Sequence, residues 1–567
     1  MRFLMTLCRN VLVLLFLPWI AWRRRRAAGP TGWIELRIDG AVVDIAPARR
    51  RWFRRSGPEA VSLHELGRTL ELAGRDPAVR GLLVTLVHLR AGSATATSLR
   101  ELLRDFRRQG KRVVVHLPDG GGTREVLVGS VGDALIAGPE SFLAPLGFAV
   151  TLRYMAPLLE RLGVQAEVFA QGRYKTAGET LVRPRMSDAQ REQLEALLDV
   201  AAQELEQALA TGRGVEPGRV QGWIDRAPWT AAAALREKIV DAVAYDDELD
   251  EWLDGAGRQA SSGSRRSARV YRARRSWGLV PLRRPDCIGV VQVRGPITSR
   301  RMGLLPMAVD REVRQALQAA ADDPRIKGVI VSIDSRGGSA LASDRILHAV
   351  RKLAAKKPVV AQMGDAAASG GYMIAVGAGR IVAQPTTVTG SIGVVSARAV
   401  LGPLLERAGV AVEVVKRGNR ADMFSGMRGL AEDERRDLEA QMAELYAAFV
   451  QVVAEGRRRQ ASDIAALAQG RVWSGAHALE HGLVDVLGGF DQALREVRLE
   501  LGPGAERLAP RLITPRRVGP PSAPLPRWVA ALAEQAPKSL LEPALLGLTA
   551  SSEPVWRWSA VVEDLSG

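Results

Sequence analysis

Two cysteines in 567 residues, Cys8 and Cys287, leave neither a disulfide framework nor paired thiolates at metal-binding spacing. Histidine is nearly as scarce. There are six, His64, His88, His116, His348, His477 and His481, and no H-E-x-x-H run among them. His477 and His481 stand four apart, a metal-compatible step on a helix, but no further ligand accompanies them. They are expected as surface or core side chains, and neither a metal nor another cofactor is expected. Zinc fingers and RNP-like strands are also missing, which removes the usual nucleic-acid modules. The G-x-S-x-G elbow of the α/β-hydrolases is absent from the serine segment discussed below.

The remaining composition is that of a globular chain, 47% hydrophobic and 25% charged. Its length suggests more than one domain. Lysine and arginine total 79 against 62 acidic residues, a formal net charge of +17. The excess is arginine spread through the whole chain, with dense runs at Arg23–Arg26, Arg49–Arg51 and Arg265–Arg284. Basic runs beside an apolar segment point to lipid head groups. Such a segment exists: Phe3 to Trp22 is mostly apolar, interrupted by Arg9. Its clean part, Asn10 to Trp22, is short of the roughly 20 residues of a full span. It ends in four arginines, not in the small residues of a cleavage site. Residues 1–27 are therefore expected as an uncleaved membrane anchor. The positive-inside rule would hold Arg23–Arg26, and the chain after them, on the cytoplasmic side.

The strongest organisational signal is an internal repeat. Pro157 to Val164 (PLLERLGV) recurs as Pro403 to Val410 (PLLERAGV), at an offset of 246. The same offset sets Val113-Val114-Val115 on Val359-Val360-Ala361 and Gly147 on Gly393. Trp229-Thr230 and Val240-Asp241 match Trp473-Ser474 and Val484-Asp485 at 244. A period this long reads as two homologous domains, expected at 28–255 and 286–505. A basic Gly/Ser-rich linker is expected at 256–285 and a proline-rich tail at 506–567. Within each domain apolar strands alternate with helices. Gly328 to Ile333 reads as a buried strand, Ser343 to Lys356 as a helix and Val359 to Gln362 as the next strand. The fold class is α/β, with a mostly parallel sheet and right-handed crossovers.

Ser369 stands in Gly364-Asp365-Ala366-Ala367-Ala368-Ser369-Gly370-Gly371-Tyr372, after a strand and at the start of a helix. Free amides at a helix start could hold an oxyanion, and the small residues let a substrate backbone approach. The competing reading is a tightly packed small-residue helix with Ser369 as filler. A nucleophilic serine needs a base, and no histidine lies near it in sequence. A desolvated lysine can serve, whereas arginine cannot. Residues 28–255 contain only Lys111, Lys175 and Lys238, and Lys175 sits at a glycine-flanked turn, Gly172-Arg173-Tyr174-Lys175.

Ala367-Ala368-Ser369-Gly370-Gly371-Tyr372, the Gly337-Gly338-Ser339 turn and Gly172-Arg173-Tyr174-Lys175 together resemble the signal peptide peptidase A family of S49 serine peptidases. The doubled module and the apolar start resemble its long form. The resemblance implies two tandem crotonase/ClpP-like domains, Ser369 as nucleophile and Lys175 as general base. Gly370 and Gly337 are the candidate oxyanion donors. It also implies apolar peptide substrates such as cleaved signal peptides, a homo-oligomer (a tetramer), and a bacterial inner-membrane enzyme facing the periplasm. That last implication opposes the arginine run, and the side stays open.

The repeat tests the residue roles. An offset of 246 carries Lys175 to Ala421, and one of 244 to Asn419, so the second domain lacks the lysine. The 246-residue step back carries Ser369 to Thr123, so the first domain lacks the serine. Lys416 is a weaker alternative base, a few residues off. The chain departs from the family at Asp334, usually asparagine, and Arg336, usually proline, which bears on substrate preference. Two rivals remain at this stage: an acyl-CoA enzyme of the same superfamily fold and a non-catalytic membrane scaffold.

Overall fold

The computed structural model describes residues 32–46, 60–254, 265–275, 285–301 and 306–514. The first unit opens with β1 (Trp33–Val43), α1 (Leu63–Gly74), β2 (Gly81–Arg90), α2 (Ser93–Arg108), β3 (Arg112–Leu117), α3 (Thr123–Gly129) and β4 (Ala134–Ala137). It continues with α4 (Ala156–Leu162), β5 (Gln165–Gln171), α5 (Asp188–Arg213) and β6 (Ala242–Val243). Its sheet runs β6-β4-β3-β2-β1, all parallel. A parallel sheet is covered on both faces, so its strands read as continuous apolar runs. Leu82, Val84 and Leu86 of β2 and Val113, Val114 and Val115 of β3 are fully buried. Each such side chain contributes roughly 1.5–3 kcal/mol by leaving water.

The second unit repeats the plan. It contains β7 (Cys287–Arg294), α6 (Asp310–Asp322), β8 (Ile326–Ser335), α7 (Ala340–Ala354), β9 (Val359–Ala368), α8 (Gly370–Ala375), β10 (Arg380–Ala383), β11 (Val388–Gly390) and β12 (Val394–Val400). After these come α9 (Gly402–Arg407), α10 (Glu432–Arg457), β13 (Val472–Ser474), β14 (Val486–Leu487), α11 (Phe490–Leu501) and β15 (Ala509–Leu512). The sheet order is β13-β11-β9-β8-β7-β15, with β10 beside β9 and β14 beside β10; only β13 is antiparallel to its neighbour. The strand–helix–strand reading of 328–362 therefore holds, with β8 and β9 running longer than expected. The repeat is carried into three dimensions: α5 and α10 are both 26 residues long and start 244 positions apart.

Two expected boundaries shift. Within the expected linker, Arg265–Ser267 pairs with β1 as a further parallel strand, and the helix Ala268–Arg275 packs on it. Its Tyr271 is buried, and its hydroxyl donates to Asp76 Oδ2 at 3.0 Å. Likewise β15 lies inside the expected tail, where it closes the second sheet against β7. Both segments cover a sheet edge that would otherwise leave backbone groups unpaired.

The units join along several contacts, of which two frame the site. Near one, Ile45 of the first unit is buried among Ile288, Val290 and Val360 of the second. There the start of α2 also meets β9, with Thr95 N and Oγ1 donating to Asp365 at 3.0 and 2.9 Å. At the other, β5 pairs antiparallel with β12 over seven residues, Gln171 opposite Val394 and Gln165 opposite Val400. Among the described residues no helix is long and apolar enough to cross a membrane. The anchor expected at 1–27 lies outside them.

Candidate active site

Ser369 directly follows β9 and caps α8, as the sequence predicts. Its backbone holds φ +53°, ψ −118°, sparsely populated for a residue with a side chain and the kind of strain that collects at functional sites. Neighbouring backbone over-determines it: Ser369 N donates to Gly390 O at 2.8 Å, and Ser369 O accepts from Met373 N at 2.9 Å. Space around it is tight. A Cβ added at Gly370 would sit 2.2 Å from Ser343 Oγ, and one at Gly337 would sit 2.8 Å from Gly370 N. Only glycine fits at either place.

Lys175 arrives from the other unit. The pairing of β5 with β12 brings the following turn, 172–178, against the second unit. There Tyr174 N donates to Gln469 O at 2.8 Å. Gly470, at φ +76°, lies so close that an added Cβ would be 2.5 Å from Lys175 Cβ. The lysine is 4% exposed. Its Nζ reaches Ser369 Oγ at 3.3 Å, Ser391 Oγ at 2.9 Å and Ser391 O at 2.9 Å. Burial alone lowers its pKa from 10.5 to about 7, with no carboxylate acting to restore the charge. A neutral amine within hydrogen-bond reach of a strained serine can take its proton.

The other sequence candidates fare differently. Lys416 is exposed and bound to Asp422 Oδ1 at 2.9 Å and Asn419 O at 3.0 Å, which removes it as an alternative base. Thr123 starts α3 where the repeat sets it, its hydroxyl given to Gly147 O at 3.2 Å. Gly337 does adjoin Gly370, but its N–H donates to Ser335 Oγ at 3.1 Å, so this amide is engaged and not aimed free at an oxyanion. His481 stacks edge-on against Trp473, ring centroids 4.4 Å apart, and His477 lies beside the same indole.

Sequence reasoning misses Ser391. Its signal there is slight, a serine between Gly390 and Gly393. In the structure it is fully buried at φ +52° and fixed by Ser391 N donating to Arg471 O at 2.7 Å.

Comparison with known proteins adds an independent line. The description Peptidase family S49 matches residues 105–258 and 351–502. The chain is 29% identical over 443 residues to "Serine protease SPPA, chloroplastic" of Arabidopsis thaliana, covering 76% of this chain and 65% of the plant protein, just under two thirds of its length. It is 29% identical over 486 residues to "Protease 4" of Salmonella typhi, covering 82% and 77%. It is 35% identical over 187 residues to "Putative signal peptide peptidase SppA" of Enterococcus faecium, covering 32% of this chain and 54% of that one.

Proposed function

The chain belongs to peptidase family S49, and from that premise we propose that it is a membrane-associated serine endopeptidase working through a Ser369–Lys175 dyad. The observation that carries the reading is the 3.3 Å approach of Lys175 Nζ to Ser369 Oγ in a buried setting without a counter-charge. Neutral Lys175 accepts the Ser369 hydroxyl proton as Oγ attacks a peptide carbonyl. A C–O bond forms, and the carbonyl π pair moves onto oxygen, which the N–H of Gly370 at the start of α8 is suited to hold. The intermediate collapses by breaking the C–N bond, and the Lys175 ammonium gives its proton to the leaving nitrogen. Lys175 then deprotonates a water that attacks the acyl group, and Ser369 leaves with its proton restored.

Apolar peptides, including cleaved signal peptides, are the substrate class. A relative named as a signal peptide peptidase supports this. The apolar segment and arginine run of residues 1–26 support a bacterial inner-membrane location. The partners are peptide and lipid, with a second copy of the chain as a further one. The repeat supports that last reading. The segment equivalent to β5 is 411–417, the segment equivalent to β12 is 148–154, and neither is a strand. Val412, Val414 and Val415 are 44%, 50% and 91% exposed. Chains joining head to tail, 411–417 of one to 148–154 of the next, would reproduce between copies the pairing that joins the units within one. Such a contact is heterologous, and the ring it would build is the closed form of the assembly.

A fluorophosphonate probe with adduct mapping tests the chemistry. Labelling at Ser369 that disappears in Ser369→Ala and Lys175→Ala, with matching loss of peptide hydrolysis, is the expected result. No labelling and no hydrolysis by the folded wild type would refute the dyad and restore the acyl-CoA and scaffold readings.

A further inference from the structure

Gln193 lies on the second turn of α5, whose start is capped by Ser187 accepting from Gln190 N at 3.1 Å. It is 2% exposed, an uncharged amide in an otherwise apolar contact between the units. Every part of that amide is spent on the turn carrying Lys175 or on the unit carrying Ser369. Nε2 donates to Thr176 Oγ1 at 2.8 Å and to Tyr174 O at 3.3 Å. Oε1 accepts from Val472 N, in β13, at 3.2 Å. Tyr174 and Thr176 are the two residues flanking Lys175.

These bonds close a circuit. Val472 follows Arg471, whose carbonyl accepts from Ser391 N. Ser391 in turn receives Lys175 Nζ through both its oxygens. The two ends of Lys175, main chain and amine, are thus tied to adjacent residues of one segment. At the rim Glu192, the neighbour of Gln193, binds the Tyr174 hydroxyl at 2.9 Å and Arg471 Nη1 at 2.8 Å. That outer pair is more exposed and worth correspondingly less. A buried amide whose removal would strand the Val472 N–H and take the Thr176 hydroxyl's partner is the member of this contact that geometry depends on.

We propose that Gln193 is a positioning residue for the peptidase reaction: it holds the Lys175 turn in reach of Ser369 by tying Tyr174 and Thr176 to Val472 across the unit boundary. The proposal rests on the Ser369–Lys175 reading. Gln193 touches no reacting atom and acts only through the lysine. Loss of its amide loosens the turn and lets water reach Nζ, so both the placement and the proton affinity of the base change.

The test compares the full-length wild type with Gln193→Ala, Gln193→Glu and a control on the same helix, Gln203→Ala, whose side chain is exposed. The readouts are kcat and KM on an apolar fluorogenic peptide, the rate of fluorophosphonate labelling, the pH profile of kcat/KM, and Tm. Gln193→Ala should lower kcat and the labelling rate by about 10- to 100-fold, the scale of a misplaced catalytic group, with KM within about twofold. The acid limb of its profile should move to higher pH. Gln193→Glu, nearly isosteric, should move that limb further, because its charge favours the ammonium. Gln203→Ala should match wild type. A kcat within about twofold of wild type in both Gln193 variants, or a loss that only follows the folded fraction while the acid limb stays in place, overturns the proposal. A folded wild type that neither labels nor hydrolyses peptide fails on the dyad itself, a result distinguishable from failure at Gln193.

Discussion

Lys175 Nζ stands 2.9 Å from Ser391 Oγ and 3.3 Å from Ser369 Oγ, so the amine that must accept a proton is gripped more closely by a bystander than by its reaction partner. Its environment sets when it can act. Burial lowers its pKa to about 7, and the neutral form is the base. The profile of kcat/KM, which reports the free enzyme, should therefore rise through one acid limb centred about pH 7 and flatten above it. Lysine at its ordinary value of 10.5 would instead keep the rate climbing into strongly alkaline solution. A limb centred above about pH 9 would sink this account of the base.

Ser391→Ala removes one of the two oxygens holding Nζ and leaves the Ser391 carbonyl. The amine becomes an ammonium as it takes the Ser369 proton, and a hydrogen bond to a charged group contributes about 1.5–3 kcal/mol, so kcat should fall roughly 10- to 100-fold. KM should stay near wild type, since Ser391 is fully buried and makes no surface for substrate. Steady-state kinetics on a short apolar peptide decide this, and an unchanged kcat would assign Ser391 to packing alone.

That Lys175 would approach Ser369 was readable from the resemblance of their motifs to the S49 family, and the repeat supported it by setting each against a position without that side chain, Thr123 in one unit and Ala421 or Asn419 in the other. The parallel sheets were legible for a different reason: strands buried on both faces are apolar nearly throughout, as in Gly328–Ile333. Ser391 was not, because its role arises from φ +52° and from the closure of β5 on β12, and neither leaves a periodic trace. The strand Arg265–Ser267 was hidden in a basic run, where three residues of pairing and one buried Tyr271 cannot outweigh the arginines in any composition window. Gly337 illustrates the remaining limit. Its glycine identity follows from crowding against Gly370, whereas the partner of its N–H, Ser335 Oγ, is a matter of local hydroxyl placement.

Asp44 offers a test of the contact between the units. Burial, then the charges of Asp334 and Asp365, pushes its pKa from 3.8 up to about 7, opposed by Arg294 and by Gln362. Ser332 Oγ donates to it at 3.5 Å across the boundary. Between about pH 4 and 7 the unfolded chain has released this proton while the folded chain still holds it. The group therefore lowers stability progressively over that window, and the full cost persists above it. Asp44→Asn should raise Tm at pH 8, by about 1 °C for each kcal/mol relieved in a chain of this size, and leave it nearly unchanged at pH 4. Thermal scans at the two pH values read the difference. A Tm lowered equally at both would mean that the carboxyl contributes through its hydrogen bonds and not through its charge.

The head-to-tail assembly makes a separable prediction, because Lys175 and Ser369 meet within a single chain. Replacing Val412 and Val414 by lysine puts two ammonium groups on the segment proposed to lie against 148–154 of the next copy. Burying them there would cost several kcal/mol, more than a strand pair of this length returns. Light scattering in mild detergent should therefore give the wild type a mass that is a multiple of 61.2 kDa and give Val412→Lys/Val414→Lys the mass of one chain. Fluorophosphonate labelling per chain should be equal in the two. A wild type that is already monomeric, or a variant that keeps its assembly, would refute this interface. A variant that became monomeric and also stopped labelling would locate part of the active site in the neighbouring copy, against the single-chain dyad.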